Sequence, residues 1–473
     1  MSCEKRKSAL LNLALLPAAL MICVLSGCAV EQPDHNVILI TIDTLRADHL
    51  GCYGYEKLPT SPRMDAFADQ ATRYTRHYAS SPWTLPTHAS LFTGLNPFEH
   101  GAVTIPTKTA DENNVLPLPT SRTTVAEVFQ EAGARTGAVV ANSIFLGETW
   151  QVNQGFDDYI FDDKAGPEVK APEVNGHVYQ WLDQQNAKEP FFLFINYMDV
   201  HKPYNTTPRP GFLDPPAVVD NGELIEKLYQ QAMPGDEPVD EALRQQVIDQ
   251  YDTGVANVDE QIGLLLDQLK DLGLYENTQI ILTSDHGEYF GEHHLVEHSK
   301  DVYQEALWTP LIIKDPGQKE GRVAEELVSS IDVPFLIFEQ FEGKFGDKNL
   351  ERFPAVPGEH LVIAENRYTR QKDLFNEQWG QRFNRLRAVV YQGQGPYKYI
   401  HSSDSNHELY DLEQDPFEEH NLIDTALGKP EAEKLAKLFK KYVEERVRAI
   451  LNAEDAPVLS AEEIKRMRGI YMK

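Results

Sequence analysis

The feature that most constrains the fold is a short run of apolar, mostly β-branched residues near the start of the chain. Residues 36–42 read NVILITI. A continuous apolar run of this length is typical of a strand buried on both faces, as in a parallel sheet, because a half-buried strand would alternate. Similar runs occupy residues 136–140, 191–197, 279–283 and 310–313, and helical patterns such as 124–132 and 246–272 lie between them. This alternation predicts an α/β fold with a mainly parallel central sheet sandwiched by helices.

The last quarter of the chain has a different sequence pattern. Short strand patterns occupy residues 387–391, 397–401 and 408–412, and a helical pattern with one apolar face spans 431–451. These elements predict a smaller C-terminal α+β subdomain. Residues 205–245 are rich in proline, glycine and acid, and they predict a surface excursion between two core elements.

The N-terminus has the pattern of a processing signal. Residues 5–7 are basic, residues 9–25 are apolar, and the run ends in LSGC at Cys28. A basic start, an apolar core and small residues at the cleavage point describe a secretory signal. The last four residues resemble the lipobox of bacterial lipoproteins, which implies lipidation of Cys28. The alternative is a transmembrane anchor, since the run is close to the lower limit of about 17 residues for a span.

Ala29 follows the predicted lipidated cysteine. In the lipoproteins that this segment resembles, such a residue implies sorting to the outer membrane. We therefore expect an exported, membrane-anchored lipoprotein that faces the periplasm or the cell surface. After cleavage only Cys52 would remain without lipid, and a single thiol cannot form an internal disulfide.

The charge of the chain limits its partners. With 73 acidic and 44 basic side chains, its formal net charge is -29. This excess of acid argues against a nucleic-acid partner, because binding to phosphates needs a basic face. A small anionic substrate is still compatible with a locally cationic site.

Two acidic segments follow predicted strands. Asp43 comes directly after the first strand, and Asp285 and His286 follow the strand at 279–283. Ligand sites in open parallel sheets lie outside the carboxyl ends of the strands. Each segment alone is equally typical of a helix cap. Together, two carboxylates and an imidazole favour a divalent cation.

A third segment is dense in hydroxyl groups. Residues 81–94 read SPWTLPTHASLFTG, and the second half is typical of a helix start. A hydroxyl there faces unpaired N–H groups and the positive end of the helix dipole, where an anionic ester would be held. A metal beside the hydroxyl would lower its pKa and make it a nucleophile. Without the acids, an ordinary N-cap would be the preferred interpretation.

These segments together resemble the sulfatase family of the alkaline phosphatase superfamily. The resemblance runs from about residue 36 to residue 422. It is carried by the first strand with Asp43, by Thr60-Ser61-Pro62 with Asp65, by residues 89–94 (ASLFTG), by residues 199–204 (DVHKPY), by residues 283–288 (TSDHGE), and by residues 408–412 (ELYDL) with Asp415, Pro416, Asn421 and Leu422. The resemblance implies an alkaline-phosphatase-like fold. The predicted organisation is a signal peptide at 1–27, a tether at 28–35, a catalytic domain at 36–345 and a C-terminal subdomain at 346–473.

The chain departs from the family pattern at its centre. Family sulfatases carry a cysteine or serine at the position of Thr84, convert it to formylglycine, and have an arginine at the position of His88. Thr44 replaces a second acid, and His286 stands where asparagine is common. The set formed by Asp43, Thr84, Asp285 and His286 resembles the site of phospho-transferring relatives. Those relatives use an unmodified threonine or serine with zinc or manganese. One imidazole with two carboxylates is also less typical of calcium than an all-oxygen site.

The resemblance implies roles for individual residues, each of which could instead be a packing or surface residue. The implied metal ligands are Asp43, Asp285, His286 and Thr84; the catalytic residues are Thr84, His100 and His201; the substrate-binding residues are His88, Lys202, His298 and Lys300. One divalent metal ion is expected, and its identity is open among manganese, zinc, calcium and magnesium.

The predicted function is metal-dependent hydrolysis of sulfate or phosphate esters. Thr84 favours phosphoesters or phosphonates, because formylglycine eliminates sulfate from a hydrate and a threonine ester has no such route. The expected partner is a small anionic ester, including a sulfated or phosphorylated glycan or lipid. Two alternatives stay open: a transferase of phospho-headgroups in the cell envelope, and a non-catalytic sulfatase-like protein that binds glycans.

Overall fold

The computed structural model describes most of the chain after the predicted signal. The described residues are 33–105, 115–161, 169–184, 189–204, 207–209, 211–212, 222–236, 238–341, 343–353, 361–367, 371–383, 385–391 and 395–452. The predicted signal peptide and Cys28 lie outside them.

The strands of the described residues fall into a large sheet, a small sheet and one two-stranded hairpin. In chain order they are β1 Asn36–Ile42, β2 Thr72–Tyr78, β3 Arg135–Val140, β4 Asp158–Phe161, β5 Phe191–Tyr197, β6 Thr278–Thr283, β7 Tyr289–Phe290, β8 Val296–Glu297, β9 Leu311–Lys314, β10 Arg322–Ser329, β11 Val362–Arg367, β12 Leu386–Tyr391, β13 Tyr397–Ser402 and β14 Glu408–Asp411.

The α-helices lie between these strands and after them. They are α1 Pro62–Ala68, α2 Thr84–Thr93, α3 Pro97–His100, α4 Val125–Glu131, α5 Ala171–Asp183, α6 Glu223–Ala232, α7 Glu241–Asp271, α8 Gln304–Leu307, α9 Val333–Phe338, α10 Gly343–Arg352, α11 Gln371–Leu374 and α12 Gly428–Asn452. Within the ranges given above, no helix is both long and apolar enough to cross a bilayer.

The large sheet confirms the predicted α/β fold. Its eight strands have the order β10-β2-β9-β6-β1-β5-β3-β4. Strand β1 pairs in parallel with both β5 and β6, and β3 pairs in parallel with β4 and β5. Strand β9, predicted at 310–313 as one more strand of the series, is antiparallel to β2 and β6.

Strand β1 lies at the centre of the molecule. Its residues alternate between two apolar cores: Ile38, Ile40 and Ile42 belong to one core, and Val37 and Leu39 belong to the other. Because the first core contains residues of α1, α5 and α7 and the second contains residues of α2, α4 and α9, helices cover both faces of the sheet. This double burial is why the sequence of β1 is apolar at nearly every position.

The predicted excursion at 205–245 is only in part a surface feature. Within it, helix α6 buries Ile225, Leu228 and Ala232 in the first core. Helix α7 begins at Glu241, capped by the side chain of Asp240, which accepts hydrogen bonds from two backbone N–H groups. The excursion thus carries a packed amphipathic helix that residue composition did not reveal.

The small sheet forms the C-terminal part of the fold. Its order is β11-β12-β13-β14, all antiparallel, and α12 packs on it through residues such as Leu435 and Phe439. Its other face meets the large sheet, where the rings of Tyr78 and Tyr391 stack 4.0 Å apart. The two sheets therefore share an apolar contact.

Candidate active site

The candidate site lies at the carboxyl ends of neighbouring parallel strands. Asp43 follows β1, Asp285 and His286 follow β6, Asn142 follows β3, and His201 follows β5. Since all four strands run in one direction, their ends meet at one edge of the sheet. The segment after β6 is far from β1 in sequence, yet the backbone N–H of Thr44 donates to Asp285 Oδ1 across 241 residues, at 3.2 Å.

Three predicted metal ligands converge there. Asp43, Asp285 and His286 each offer a ligand atom, and these atoms all lie within 4.8 Å of one another. His286 Nε2 is 3.9 Å from Asp43 Oδ1 and 3.4 Å from Asp285 Oδ2. Both of these carboxylate oxygens are buried and have no hydrogen-bond partner in the described part of the chain. Because leaving buried oxygens unpaired is costly, the arrangement fits a bound cation.

The other atoms of these ligands are held by hydrogen bonds. Asn142 Nδ2 donates to Asp43 Oδ2 at 2.9 Å. Asp285 Oδ1 accepts from the backbone N–H of Thr44 and of His286. His286 Nδ1 lies 2.9 Å from the carbonyl of Gly287, so that nitrogen carries the proton and Nε2 presents a lone pair. Such outer contacts orient metal ligands and fix their protonation.

Burial controls the charge of the site. Desolvation, helped by repulsion from Asp285, raises the pKa of Asp43 to about 6. Desolvation also raises the pKa of Asp285 to about 7 and lowers that of His286. Two carboxylates that resist ionisation beside a neutral imidazole would be stabilised in their ligating forms by a divalent cation.

Thr84 lies next to this group. It is the first residue of α2, it is buried, and its Oγ1 is 3.4 Å from His286 Nε2. The hydroxyl therefore lies at the positive end of a ten-residue helix and next to a candidate metal ligand.

Two predicted histidines lie near Asp43, Asp285 and His286, which are together called the ligand group. His201 Nδ1 is 2.7 Å from the carbonyl of Lys202. Its ring lies 5.2 Å from that of His298, which in turn lies 4.5 Å from that of His286. Burial lowers the pKa of His201. The structure thus brings His201 and His298 together with the candidate metal ligands.

The two predicted lysines are each paired with acids. Lys202 Nζ contacts Glu297 Oε1. Lys300 is fully buried, with its Nζ 2.6 Å from Asp373 Oδ2 and 3.5 Å from Glu297 Oε2. These carboxylates offset part of the positive charge that the lysines bring to the site.

His88 lies beneath the nucleophile position. Its Nδ1 is 2.9 Å from the carbonyl of Thr84, its Nε2 is 3.1 Å from Thr41 Oγ1, and Nδ1 is 3.7 Å from Asp285 Oδ2. Burial lowers its pKa to about 3, so it is neutral. The structure places it as a support for the helix start and for Asp285, with both ring nitrogens engaged.

His100 lies deeper in the same layer. Its Nε2 is 3.1 Å from the carbonyl of Pro86 and 3.2 Å from Ser90 Oγ, and its Nδ1 accepts from the backbone N–H of Ala102. Burial lowers its pKa to about 3. The structure therefore shows His100 bonded to the chain around α2 and not to the ligand group.

The structure adds residues that the sequence prediction missed. Asn142 holds Asp43, and it could have been found, because it follows a predicted strand by two positions. Glu288 accepts from His298 Nδ1 through Oε1 at 3.0 Å and from the Tyr204 hydroxyl through Oε2 at 3.0 Å. The β7–β8 hairpin brings His298 back to Glu288, whereas the contact with Tyr204 joins residues 84 positions apart in the sequence.

Comparison with known proteins gives one consistent result. A family model described as Sulfatase matches residues 35–343. The chain is 26% identical over 495 residues to an ulvan-active sulfatase of Formosa agariphila, covering 91% of this chain and 87% of that protein. It is 24% identical over 532 residues to an N-acetylgalactosamine-6-O-sulfatase of Bacteroides thetaiotaomicron, covering 86% and 95%. The solved phosphonate monoester hydrolase of Agrobacterium radiobacter superposes with a TM-score of 0.62 at 22% identity, covering 86% of this chain and 96% of that one.

Proposed function

The chain belongs to the sulfatase family and is an ester hydrolase, and from that premise we propose that it cleaves phosphoesters or phosphonates with Thr84 as nucleophile. The observation that carries the proposal is the position of the Thr84 hydroxyl, which begins α2 and lies 3.4 Å from His286 Nε2. An unmodified hydroxyl there suits transfer of a phosphoryl group through a covalent threonine ester.

The ligand group could hold a cation that activates the Thr84 hydroxyl. A divalent cation held by Asp43, Asp285 and His286 would supply a Lewis acid that lowers the pKa of the hydroxyl and polarises an ester oxygen. The donor set of one imidazole and two carboxylates favours zinc or manganese over calcium. Asn142, by holding Asp43 Oδ2, keeps the other oxygen of that carboxylate turned towards the ligand group.

In the first chemical step the Thr84 hydroxyl gives up its proton to solvent. Its Oγ1 then forms a bond to phosphorus in line with the bond to the leaving oxygen, which breaks. The start of α2 places backbone N–H groups beside the developing negative charge. The leaving oxygen takes a proton from His298, whose Nδ1 is bonded to Glu288 Oε1 at 3.0 Å, because that carboxylate stabilises the protonated ring.

The second step regenerates the free enzyme. Water attacks phosphorus opposite Thr84 and gives up a proton to His298, and the bond between phosphorus and Thr84 Oγ1 breaks. The acid product leaves, and the Thr84 oxygen takes a proton back from solvent. His201, which burial keeps neutral, acts as a hydrogen-bond partner of the transferring group and not as a proton donor. Lys202 and Lys300 add positive charge that Glu297 and Asp373 partly offset.

The proposed substrate class rests on the chemistry of Thr84 and on the substrates named for similar proteins. The similar proteins include enzymes named for ulvan and for an N-acetylgalactosamine sulfate, and a phosphonate monoester hydrolase. We infer an anionic monoester whose alcohol is part of a glycan, with phosphorus preferred because Thr84 replaces the formylglycine precursor.

The test compares matched aryl phosphate, phosphonate and sulfate substrates that share one leaving group, with zinc, manganese, magnesium or calcium added. Thr84→Ser is the matched control, because it keeps a hydroxyl, and Thr84→Ala removes it. We expect turnover of phosphorus esters that survives in the serine variant and vanishes in the alanine variant. Acid quenching should trap a phosphoryl group on the peptide that contains Thr84.

Other outcomes have distinct meanings. Preferential cleavage of the sulfate would overturn the preference for phosphorus. Unchanged turnover in Thr84→Ala would remove the nucleophile assignment. Product that appears only when an acceptor alcohol is added would favour the transferase alternative.

We also propose that the chain is exported as a lipoprotein. Support comes from the basic start, the apolar run and the LSGC ending at Cys28. Metabolic labelling with a radioactive fatty acid should mark the wild-type chain and not Cys28→Ser, and fractionation should place the wild type with the outer membrane. A labelled Cys28→Ser variant would contradict the proposal.

A further inference from the structure

A second group of metal-ligating side chains lies outside the active site. His293 belongs to the turn between β7 and β8, Glu305 to α8, and Glu418 to the segment after β14. Each offers a ligand atom, and these atoms all lie within 4.8 Å of one another. Three separate parts of the chain therefore bring one imidazole and two carboxylates to one point.

Two of these side chains carry buried atoms that make no hydrogen bond. These atoms are His293 Nε2 and Glu305 Oε2, among the residues that the structure describes, whereas Glu418 Oε1 forms an ion pair with Lys398. The side chain of Glu305 is 2% exposed and that of Glu418 is fully buried. His293 Nε2 lies 3.5 Å from Glu305 Oε2, too far for a good hydrogen bond. Burying His293 Nε2 and Glu305 Oε2 without a hydrogen bond is costly, and one cation could bind both of them together with Glu418 Oε1.

Neighbouring residues hold the side chains in place. The His293 ring stacks on Tyr303 at 3.8 Å, and Glu418 Oε2 accepts from the backbone N–H of Gln304 at 2.6 Å. Glu305 also lines a cavity of about 440 Å³ whose wall includes Phe417, so one member of the group borders this cavity.

Lys398 is the competing cation. Its Nζ is fully buried and 2.7 Å from Glu418 Oε1. A closed network of ion pairs, with Lys398 on Glu418 and a protonated His293 on Glu305, is therefore the alternative to a metal. The two arrangements differ in one respect that can be measured: the ammonium would repel a divalent cation but would stabilise an ion-pair network.

We propose that His293, Glu305 and Glu418 hold a second divalent cation, of the zinc or manganese class, distinct from the one in the active site. One nitrogen and two carboxylate oxygens suit these ions. The ion ties the segment after β14, next to the small sheet, to the loop that follows the catalytic Asp285, so its main effect is on stability. The proposal does not depend on the reaction proposed above.

The test uses the full-length chain stripped of metal and titrated with zinc by calorimetry and thermal unfolding. A background variant, Asp43→Asn with Asp285→Asn, removes the active-site ligands. In that background we expect one remaining zinc site, and a rise in melting temperature of about 5 °C when zinc is a hundredfold above its dissociation constant. Glu305→Gln should weaken zinc binding by about 10–100-fold.

Further variants keep the test decisive if Glu305→Gln fails to fold. His293→Asn changes a half-buried residue at φ 53, a backbone conformation that asparagine tolerates, and should also weaken binding. Glu413→Gln, on an exposed residue lining the same cavity, should change nothing. Lys398→Met should tighten zinc binding by about tenfold, because it removes a neighbouring positive charge. No zinc binding in the background variant, or weaker binding in Lys398→Met, would overturn the site in favour of the ion-pair network.

Discussion

Replacing Asp285 by asparagine should stabilise the metal-free protein, although it removes a ligand. The amide keeps an oxygen to accept from the N–H groups of Thr44 and His286. It also places an N–H₂ group where Asp285 Oδ2 has no hydrogen-bond partner within the described residues, facing the acceptors of Asp43 and His286. The substitution therefore removes a buried charge and satisfies an unpaired atom.

The size of the effect follows from the pKa. Burial raises the pKa of Asp285 from 3.8 to about 7. The folded protein holds the Asp285 proton more tightly than the unfolded chain does. The stabilisation of the folded state by this carboxyl is therefore complete below pH 3.8 and is lost as the pH rises through about 7. At about 1.4 kcal/mol per pH unit, keeping the carboxylate ionised above that range costs at most about 4 kcal/mol.

The assay is thermal unfolding in a chelator from pH 4 to pH 9. Asp285→Asn should melt near the wild type in acid and above it at the alkaline end, by up to about 10 °C. With metal added the order should reverse, because a cation at a hundredfold its dissociation constant stabilises the wild type by about 2.7 kcal/mol.

A matched control distinguishes an effect of the candidate metal site from the effect of burying any carboxylate. Burial also raises the pKa of Asp259 to about 6, but this carboxylate accepts from the backbone N–H groups of Arg63 and Met64 and is remote from the ligand group. Metal should not change the difference between Asp259→Asn and the wild type. If Asp285→Asn melts below the wild type at pH 8 in chelator, the argument from the unpaired, buried carboxylate is refuted.

Three further predictions concern the site and the fold. Asn142→Ala should weaken metal binding by about 10–100-fold, because Asp43 loses the donor at 2.9 Å; calorimetry measures this, and unchanged affinity would contradict the role. Gly137→Ala should destabilise the fold by about 1–3 kcal/mol in denaturant unfolding, because its Cβ would lie 2.4 Å from the Trp181 ring; equal stability would show that the ring can move. Chelation should abolish turnover, and zinc or manganese should restore it better than calcium; full activity in chelator would exclude the metal.

The sequence indicated that Asp43, Asp285 and His286 lie together because their positions depend on local features. Asp43 and Asp285 stand at the ends of strands that are apolar throughout, and parallel packing brings such ends together. Strands β2 and β10 were missed for the opposite reason: most of their residues are half-buried or exposed, so their sequences show no apolar run.

Contacts between distant segments could not be predicted in the same way. Lys300 pairs with Asp373, 73 residues later, and nothing near either residue indicates the other. The roles of His88 and His100 also depend on three-dimensional packing. Their motif positions suggested substrate contact or catalysis, but the structure shows rings bonded on both nitrogens within and beneath α2.

The place of β1 between β5 and β6 has a consequence for synthesis. Strand β1 is synthesised first, but it can pair with β6 only after β6 has been made. Thr44, which follows β1, meets Asp285 only after 241 further residues. At translation rates of about 5–20 residues per second, that delay is roughly 10–50 s. During it, the most apolar strand of the sheet is without one of its neighbours on the ribosome. Nascent chains that end before β6 should therefore bind chaperones strongly, and the candidate metal ligands come together only when the chain is more than half made.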